Sequence, residues 1–185
     1  MAIWVILGIV ALLVIWVIAM YNNLVRLRVK IDNSWSDIRV FLKKRFDLIP
    51  NLVNTVKGYA EHEKSTFEEI TRARTAAANV GPDDVKGQAV ANQALTGALG
   101  RLFAVAENYP ELKANTNFLD LQKTLQNIEA DLANARRYYN ATVRDLNTSI
   151  QQFPAVLVAG MMGFTKRDFY ELENPEEAQN VKVEF

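Results

Sequence analysis

The sequence of 185 residues contains no cysteine and a single histidine, His62. The lack of cysteine excludes a disulfide scaffold, an iron–sulfur cluster, a Cys-ligated zinc and a lipidated N-terminal cysteine. One histidine is too few for the Glu-x-x-His pairs of a di-iron bundle, for a His-Glu-x-x-His zinc site or for a conventional Ser–His–Asp triad. We therefore expect no enzyme, no metal and no cofactor.

Net charge, proline and glycine are also scarce. Lys plus Arg and Asp plus Glu number 21 each, so the formal net charge is zero, which argues against binding nucleic acid through bulk electrostatics. Five prolines and eight glycines are too few for a β-sandwich or a low-complexity chain. No glycine-rich phosphate loop occurs, so no motif indicates nucleotide binding.

The apolar residues are concentrated at the start of the chain. The nineteen residues from Ala2 to Met20 carry no charged side chain, and twelve are Ile, Leu or Val, which favours membrane insertion by about 4–7 kcal/mol. Trp4 and Tyr21 would lie about 26 Å apart on a helix, a separation that suits the two interfaces of a bilayer. A cleaved signal peptide is the alternative, but it needs a basic N-terminal region and a small-x-small cleavage site. Residues 1–4 contain no Lys or Arg, and residues 18–21 lack such a site. We therefore predict a transmembrane anchor over residues 1–21.

Basic residues follow the apolar segment but do not precede it. Arg26, Arg28 and Lys30 are expected to contact anionic headgroups, at about 1 kcal/mol each. The positive-inside rule places the N-terminus outside and the helical body in the cytoplasm, as in a single-pass protein of the inner membrane.

From Leu24 onward, apolar residues recur every three or four positions, which is typical of helices. The first stripe runs to Ile49, a kink or a turn is expected at Pro50, and a second apolar stripe follows from Leu52 or Val53. Residues 79–84 are predicted to form a loop, with Asp83 or Asp84 capping a third helix.

A fourth helix is predicted from Pro110 to Gln152. Its apolar residues follow heptad spacing over five heptads, which predicts a coiled-coil-like seam. We predict an all-α fold, in which the transmembrane helix continues into an antiparallel four-helix bundle over residues 22–153. Sequence alone leaves open whether Pro50 and Pro110 mark reversals or kinks.

Residues 154–185 are predicted to form an apolar C-terminal segment and an acidic tail. The ten residues 155–164 carry no polar side chain, yet they are too few to span a bilayer. They could cap the end of the bundle, lie at the membrane surface or contact another subunit.

Several residues are expected to stabilise the bundle or an interface. Charged residues on or beside the apolar stripes are predicted to form ion pairs that fix helix register: Arg45, Glu63, Arg74, Glu129 and Arg136. Aromatic residues are predicted to anchor the packing: Trp35, Phe46, Tyr59 and, on the seam, Tyr139. Gly97 and Gly100 are expected to mark the closest helix–helix approach, so that Gly97→Leu should destabilise the bundle.

Strings spread over nearly the whole chain resemble the LemA family. The first half carries Tyr21-Asn22-Asn23-Leu24-Val25, Trp35-Ser36-Asp37-Ile38, Leu42-Lys43-Lys44-Arg45-Phe46-Asp47-Leu48-Ile49-Pro50-Asn51-Leu52-Val53 and Val56-Lys57-Gly58-Tyr59-Ala60-Glu61-His62-Glu63. The second half carries Glu107-Asn108-Tyr109-Pro110-Glu111-Leu112-Lys113-Ala114-Asn115, Phe118-Leu119-Asp120-Leu121-Gln122, Glu129, Arg136-Arg137-Tyr138-Tyr139-Asn140, Pro154 and Gly163-Phe164. The resemblance implies a bacterial, membrane-anchored four-helix bundle without established catalytic residues. It also implies a link to internal membranes, through a branch found in magnetosome-forming bacteria.

Two functions are expected from these observations. The first is a non-enzymatic membrane protein that self-associates into a homo-oligomer and organises or remodels the lipid bilayer. The second is an adaptor that binds a membrane protease or a signalling protein.

Overall fold

The computed structural model of the chain describes residues 1–171, and these residues form helices joined by short connections. The five α-helices are α1 (Ala2–Lys57), α2 (Lys64–Asn79), α3 (Val85–Ala106), α4 (Pro110–Lys113) and α5 (Thr116–Ser149), followed by a 3₁₀ turn, Ala155–Leu157. No strand occurs between residues 1 and 171. The predicted all-α fold is confirmed, and the acidic end of the tail lies outside the described residues.

The helices divide into two compact units. The first unit comprises Met1–Lys43 and Asn127–Phe169, and the second comprises Lys44–Gln126 with Tyr170 and Glu171. Helices α1 and α5 therefore contribute residues to both units. The predicted bounds of the anchor, the helical body and the tail stay a prediction.

In the first unit, α1 packs against α5 along an apolar seam. The buried side chains of α1 recur at helical spacing, as predicted: Leu24, Ile31, Trp35 and Ile38. The buried side chains of α5 follow the predicted heptad positions: Ile128, Leu132, Tyr139, Thr142 and Leu146. The ring centroids of Trp35 and Tyr139 are 5.6 Å apart, so the predicted anchors pack directly on each other.

In the second unit, one core contains side chains from all five helices. Its largest members are Ile49, Leu52 and Val56 of α1, Phe67 and Ile70 of α2, Leu95, Leu99 and Leu102 of α3, Leu112 of α4, and Phe118 and Leu125 of α5. Four long helices thus share a core, as a four-helix bundle requires. The antiparallel arrangement stays a prediction.

Pro50 lies inside α1 and does not reverse the chain. A proline within a helix removes one backbone hydrogen bond and costs about 3 kcal/mol. Its neighbours Ile49 and Leu52 are fully buried, and each contributes about 1.5–3 kcal/mol, which offsets that cost. Of the two alternatives left open at Pro50, the structure thus excludes a reversal: α1 continues to Lys57, α2 begins at Lys64, and the second apolar stripe is divided between these two helices.

Pro110 begins a helix, as predicted, but α4 is only one turn long. The backbone N–H of Phe118 donates to Oδ1 of Asn115 at 3.0 Å, which caps a new helix. The predicted fourth helix is consequently shorter at both ends, since α5 begins at Thr116 and ends at Ser149.

The glycines of α3 differ from one another in their surroundings. Gly97 and Gly100 are exposed, and a Cβ added to either would meet no atom within 4 Å. The predicted close approach of helices at these glycines is therefore wrong within this chain. A larger side chain at Gly97 would not clash with a neighbouring helix of the same chain, so packing no longer predicts that Gly97→Leu destabilises the bundle. Asp84 caps α3, as predicted, by accepting the backbone N–H of Gly87 at 2.8 Å.

Candidate membrane-proximal site

The first five turns of α1 are apolar and are not covered by protein. No residue in the most apolar stretch of α1 is buried, and that stretch is long and apolar enough to cross a membrane. Trp4 is exposed near its start. Burial of the helix begins at Leu24, immediately after the predicted end of the span. The helix thus changes from an exposed apolar surface to a packed one within about one turn.

Aromatic and basic side chains surround this transition. The rings of Tyr21 and Phe164 meet edge to face, with centroids 5.7 Å apart. The guanidinium carbon of Arg28 lies 5.2 Å from the centroid of the Phe164 ring, a cation–π distance. Arg26 is exposed beside them. Phe164 therefore joins two of the residues predicted for the membrane interface.

Lys30, the third predicted basic residue, lies one turn further along α1. Its ammonium nitrogen is 5.5 Å from the centroid of the Tyr138 ring, and the lysine itself is exposed. An exposed ammonium of this kind is available to anionic groups in the surrounding solvent.

The segment after α5 turns back toward α1 through a Schellman motif. The N–H of Phe164 donates to the carbonyl of Ala159 at 2.9 Å, and the N–H of Gly163 donates to that of Gly160 at 3.1 Å. Gly163 has φ of 74°, the left-handed conformation that this motif requires at its glycine. Ala159 and Phe164 are both buried. The motif thereby places the Phe164 ring against α1.

Residues 167 and 168 then run beside the helices of the first unit. The N–H of Arg167 donates to Oδ1 of Asn147 at 2.9 Å, and Nδ2 of Asn147 donates to the carbonyl of Arg167 at 2.9 Å. The guanidinium of Arg167 pairs with Asp32 at 3.1 Å. The Tyr139 hydroxyl donates to the carbonyl of Asp168 at 2.9 Å. The tail is therefore held to both α1 and α5.

The surroundings of Tyr139 shift the pKa of its hydroxyl group. Burial raises the pKa of Tyr139 to about 12, because the phenolate would lose its hydration. The positive charge of Arg167 opposes the increase, while the carboxylates of Asp168 and Asp32 add to it. The phenol is consequently neutral at physiological pH and acts as a hydrogen-bond donor.

The predicted residues of the second unit stabilise packing. Arg45 is buried and donates to the side chain of Asn92 and, at 2.9 Å, to Oγ1 of Thr96. The guanidinium carbon of Arg74 stacks 4.0 Å from the centroid of the Phe46 ring. Arg74 thus makes a cation–π contact with Phe46, and the ion pair predicted for it stays a prediction.

The remaining predicted residues have smaller roles. Tyr59 is partly exposed, and its hydroxyl accepts a hydrogen bond from Nδ2 of Asn115 at 2.9 Å. Glu63 is half-buried and precedes α2, where it makes no side-chain cap. Glu129 and Arg136 are half-buried beside the α5 seam and interact with neighbouring groups.

Sequence reasoning missed the residues that tie the tail down. Asn147, Phe164 and Arg167 have no periodic pattern that links them to α1, since their partners depend on the path of an irregular segment. The only local signal was Gly163, because a glycine before an apolar residue is typical of a Schellman motif. Within residues 1–171, no group of three His, Cys, Asp or Glu side chains is placed to hold a metal ion.

The fold and the site define a class: a helical protein whose single long apolar helix is compatible with a membrane anchor. The family model described as the LemA family matches residues 34–185. The chain belongs to the LemA family.

Curated relatives agree with this assignment. Magnetosome protein MamQ 2 of Paramagnetospirillum magneticum is 26% identical over 175 residues, which cover 82% of this chain and 64% of the relative. MamQ of Magnetospirillum gryphiswaldense is 25% identical over 174 residues, covering 81% and 64%. Protein LemA of Metamycoplasma hominis is 28% identical over 134 residues, covering 71% and 60%. The chain thus spans less than two thirds of the length of these relatives.

Proposed function

We propose that this chain is a non-enzymatic, single-pass membrane protein that self-associates and thereby organises or remodels the bilayer. In this proposal the N-terminus lies outside the inner membrane and the helical units lie in the cytoplasm, as the basic residues after the span favour. The relatives named for the magnetosome support a role at membranes. Their lengths exceed that of this chain, so the role is carried over only as a proposal.

The observation that carries the proposal is the continuity of α1. The exposed apolar surface of residues 2–20 and the buried side chains of Leu24, Ile31 and Trp35 belong to one helix. Neither glycine nor proline interrupts this helix between Ile9 and Ile49. Kinks in helices occur mostly at proline and glycine, so this stretch is stiff. The orientation of the first unit is therefore coupled directly to that of the span.

Self-association is needed because one helix perturbs only the lipids around it. Many copies with stiffly connected spans would tilt or space those spans together, whereas flexibly connected copies would not. The proposal thus makes two separable demands on the protein. Copies must associate, and the connection between the span and the packed helices must stay stiff.

The first demand is tested by counting copies. The full chain carrying one fluorophore is reconstituted in vesicles of bacterial lipid, and bleaching steps are counted as the protein-to-lipid ratio is raised. We expect several steps per spot even at low ratios. A single step at every ratio would contradict self-association.

The second demand is tested with an insertion. About six Gly and Ser residues placed between Asn22 and Asn23 keep both the span and the packed helices but make their connection flexible. We expect the insertion variant to retain its copy number and to lose the vesicle deformation that the native chain causes in electron cryomicroscopy. An adaptor would behave differently: the native chain would stay single and leave vesicles unchanged, while an unrelated membrane protein would copurify in fixed stoichiometry.

A further inference from the structure

The segment after α5 has two faces of different character. Ala155, Ala159 and Phe164 are buried against the first unit, whereas Leu157 is 65% exposed and Met161 is 88% exposed. Phe153, four residues before Leu157, is 80% exposed. No charged side chain occurs from residue 149 to residue 164. Phe153, Leu157 and Met161 are thus exposed apolar side chains along a segment whose residues 153–164 carry no polar side chain, while the exposed Gln151 and Gln152 precede it.

The open surface lies beside the end of the membrane span. The Phe164 ring contacts Tyr21, and a recess of about 280 Å³ is bounded by Trp16 and Met20 of α1 and by Phe153 and Ala155 of the segment. Trp16 and Met20 belong to the last turns of the apolar stretch. A segment that borders the same recess lies at the level where α1 enters the hydrocarbon.

Lipid therefore suits this surface better than a protein partner does. The leaflet that surrounds Trp16 and Met20 extends sideways from the helix and reaches any apolar group at the same level. Two cations accompany the segment: Arg28 lies 5.2 Å from the Phe164 ring at its end, and the exposed Lys166 follows Phe164 by two residues in the sequence. Apolar side chains next to cations are typical of segments that lie in the interface.

We infer that residues 153–162 insert into the leaflet at which α1 leaves the membrane, as a second, monotopic membrane contact. Phe153, Leu157 and Met161 enter the boundary between headgroups and acyl chains. Tyr21, Arg28 and Phe164 fix the segment to the span. The anchor then contacts the bilayer at two points and not at one, which restrains the rotation of α1 about its own axis. This inference rests on the proposed anchoring of residues 1–21.

The absence of native cysteine makes a direct test simple. Single-cysteine variants of the full chain, Leu157→Cys and Met161→Cys, are spin-labelled in vesicles of phosphatidylcholine and phosphatidylglycerol. Collision rates are measured with oxygen, which concentrates in lipid, and with a neutral nickel chelate, which stays in water. Ile9→Cys reports the centre of the span. Val40→Cys, exposed on the same helix about 28 Å beyond Tyr21, reports the aqueous side.

The inference requires the oxygen-to-nickel ratio at residues 157 and 161 to lie well above that at Val40 and toward that at Ile9. A ratio equal to that at Val40, with Ile9 still in lipid, would overturn the inference and leave the anchor intact. Protection from both reagents would also overturn it, because a second copy would then cover the surface. A water-like ratio at Ile9 would overturn the anchor and the inference together.

Discussion

Asn147 and Arg167 exchange two hydrogen bonds of 2.9 Å each, so that one side-chain amide satisfies both backbone groups of a residue twenty positions away. An amide side chain can donate and accept at the same time, whereas a carboxylate lacks the donor. Asn147 is buried, which excludes water as a substitute partner. This amide links α5 to the segment that follows the turn at Gly163.

Replacing Asn147 with Ala is therefore expected to destabilise the protein by about 2 kcal/mol, since two hydrogen bonds are lost and the freed groups are poorly hydrated. Asn147→Asp should also destabilise it, because the acceptor survives but the donor does not. Unfolding by heat or denaturant, followed by circular dichroism in detergent micelles, measures the change. Asn134→Ala is the control: Asn134 is an exposed residue of α5 that binds Arg137, and its loss should change stability by less than about 0.5 kcal/mol. Equal effects at the two positions would contradict the proposed role.

The raised pKa of Tyr139 predicts a loss of stability at high pH. An unfolded tyrosine ionises near pH 10, whereas the folded pKa is about 12. Between these values the folded state holds a proton that the unfolded state has released, so stability falls as pH rises. The contribution is complete below pH 10, and about 2–3 kcal/mol is lost on passing from pH 10 to 12.

The measurement compares Tyr139→Phe with Tyr138→Phe across that range. Tyr139→Phe should lower stability at neutral pH, through the lost bond to the Asp168 carbonyl, and should flatten the decrease above pH 10. Tyr138 is about half exposed, so Tyr138→Phe should keep the native pH dependence. A native decrease that survives in Tyr139→Phe would assign the effect to other groups.

The two packed seams could be predicted from sequence because burial there follows the helical period. Leu24, Ile31, Trp35 and Ile38 are spaced for one face of α1. Most heptad positions of α5 from Phe118 to Leu146 are buried, and Leu121 and Ala135 are half-buried. Such patterns need no knowledge of the partner helix. The helical period did not predict burial correctly at the end of the seam: Phe153 continues the heptad spacing, yet it is 80% exposed.

Pro50 and the tail could not be predicted, for two different physical reasons. At Pro50 the local preference against helix is real, but the buried neighbours Ile49 and Leu52 outweigh it, and that burial is a tertiary property. In the tail, the position of Arg167 depends on the direction in which an irregular segment leaves Gly163. Periodicity carries no information on such a direction.

Replacing glycine with alanine is expected to have different effects at two positions of α3, Gly97 and Gly87. Gly97→Ala adds a methyl group to open space and should stabilise the protein by about 0.8–1 kcal/mol through helix propensity. At Gly87 the added Cβ would lie 2.7 Å from Cγ of Asp84 and 2.9 Å from Cγ1 of Val80. Displacing Asp84 removes the helix cap, at about 0.5–2 kcal/mol, so Gly87→Ala should bring no gain. Thermal unfolding of both variants decides the point, and a gain at Gly87 that matched Gly97 would contradict the capping geometry.

The Schellman turn predicts a contrast between two glycines that lie three residues apart. Gly163 has φ of 74°, where a Cβ clashes with the following carbonyl, so Gly163→Ala should cost about 1–2 kcal/mol. Gly160 has no such conformation and no atom within 4 Å of an added Cβ, so Gly160→Ala should be neutral or slightly stabilising. Thermal unfolding of the full chain measures both changes. Equal stabilities would mean that Phe164 reaches Tyr21 without the left-handed turn. A loss confined to Gly163 would assign the placement of the Phe164 ring against Tyr21 to this one backbone conformation.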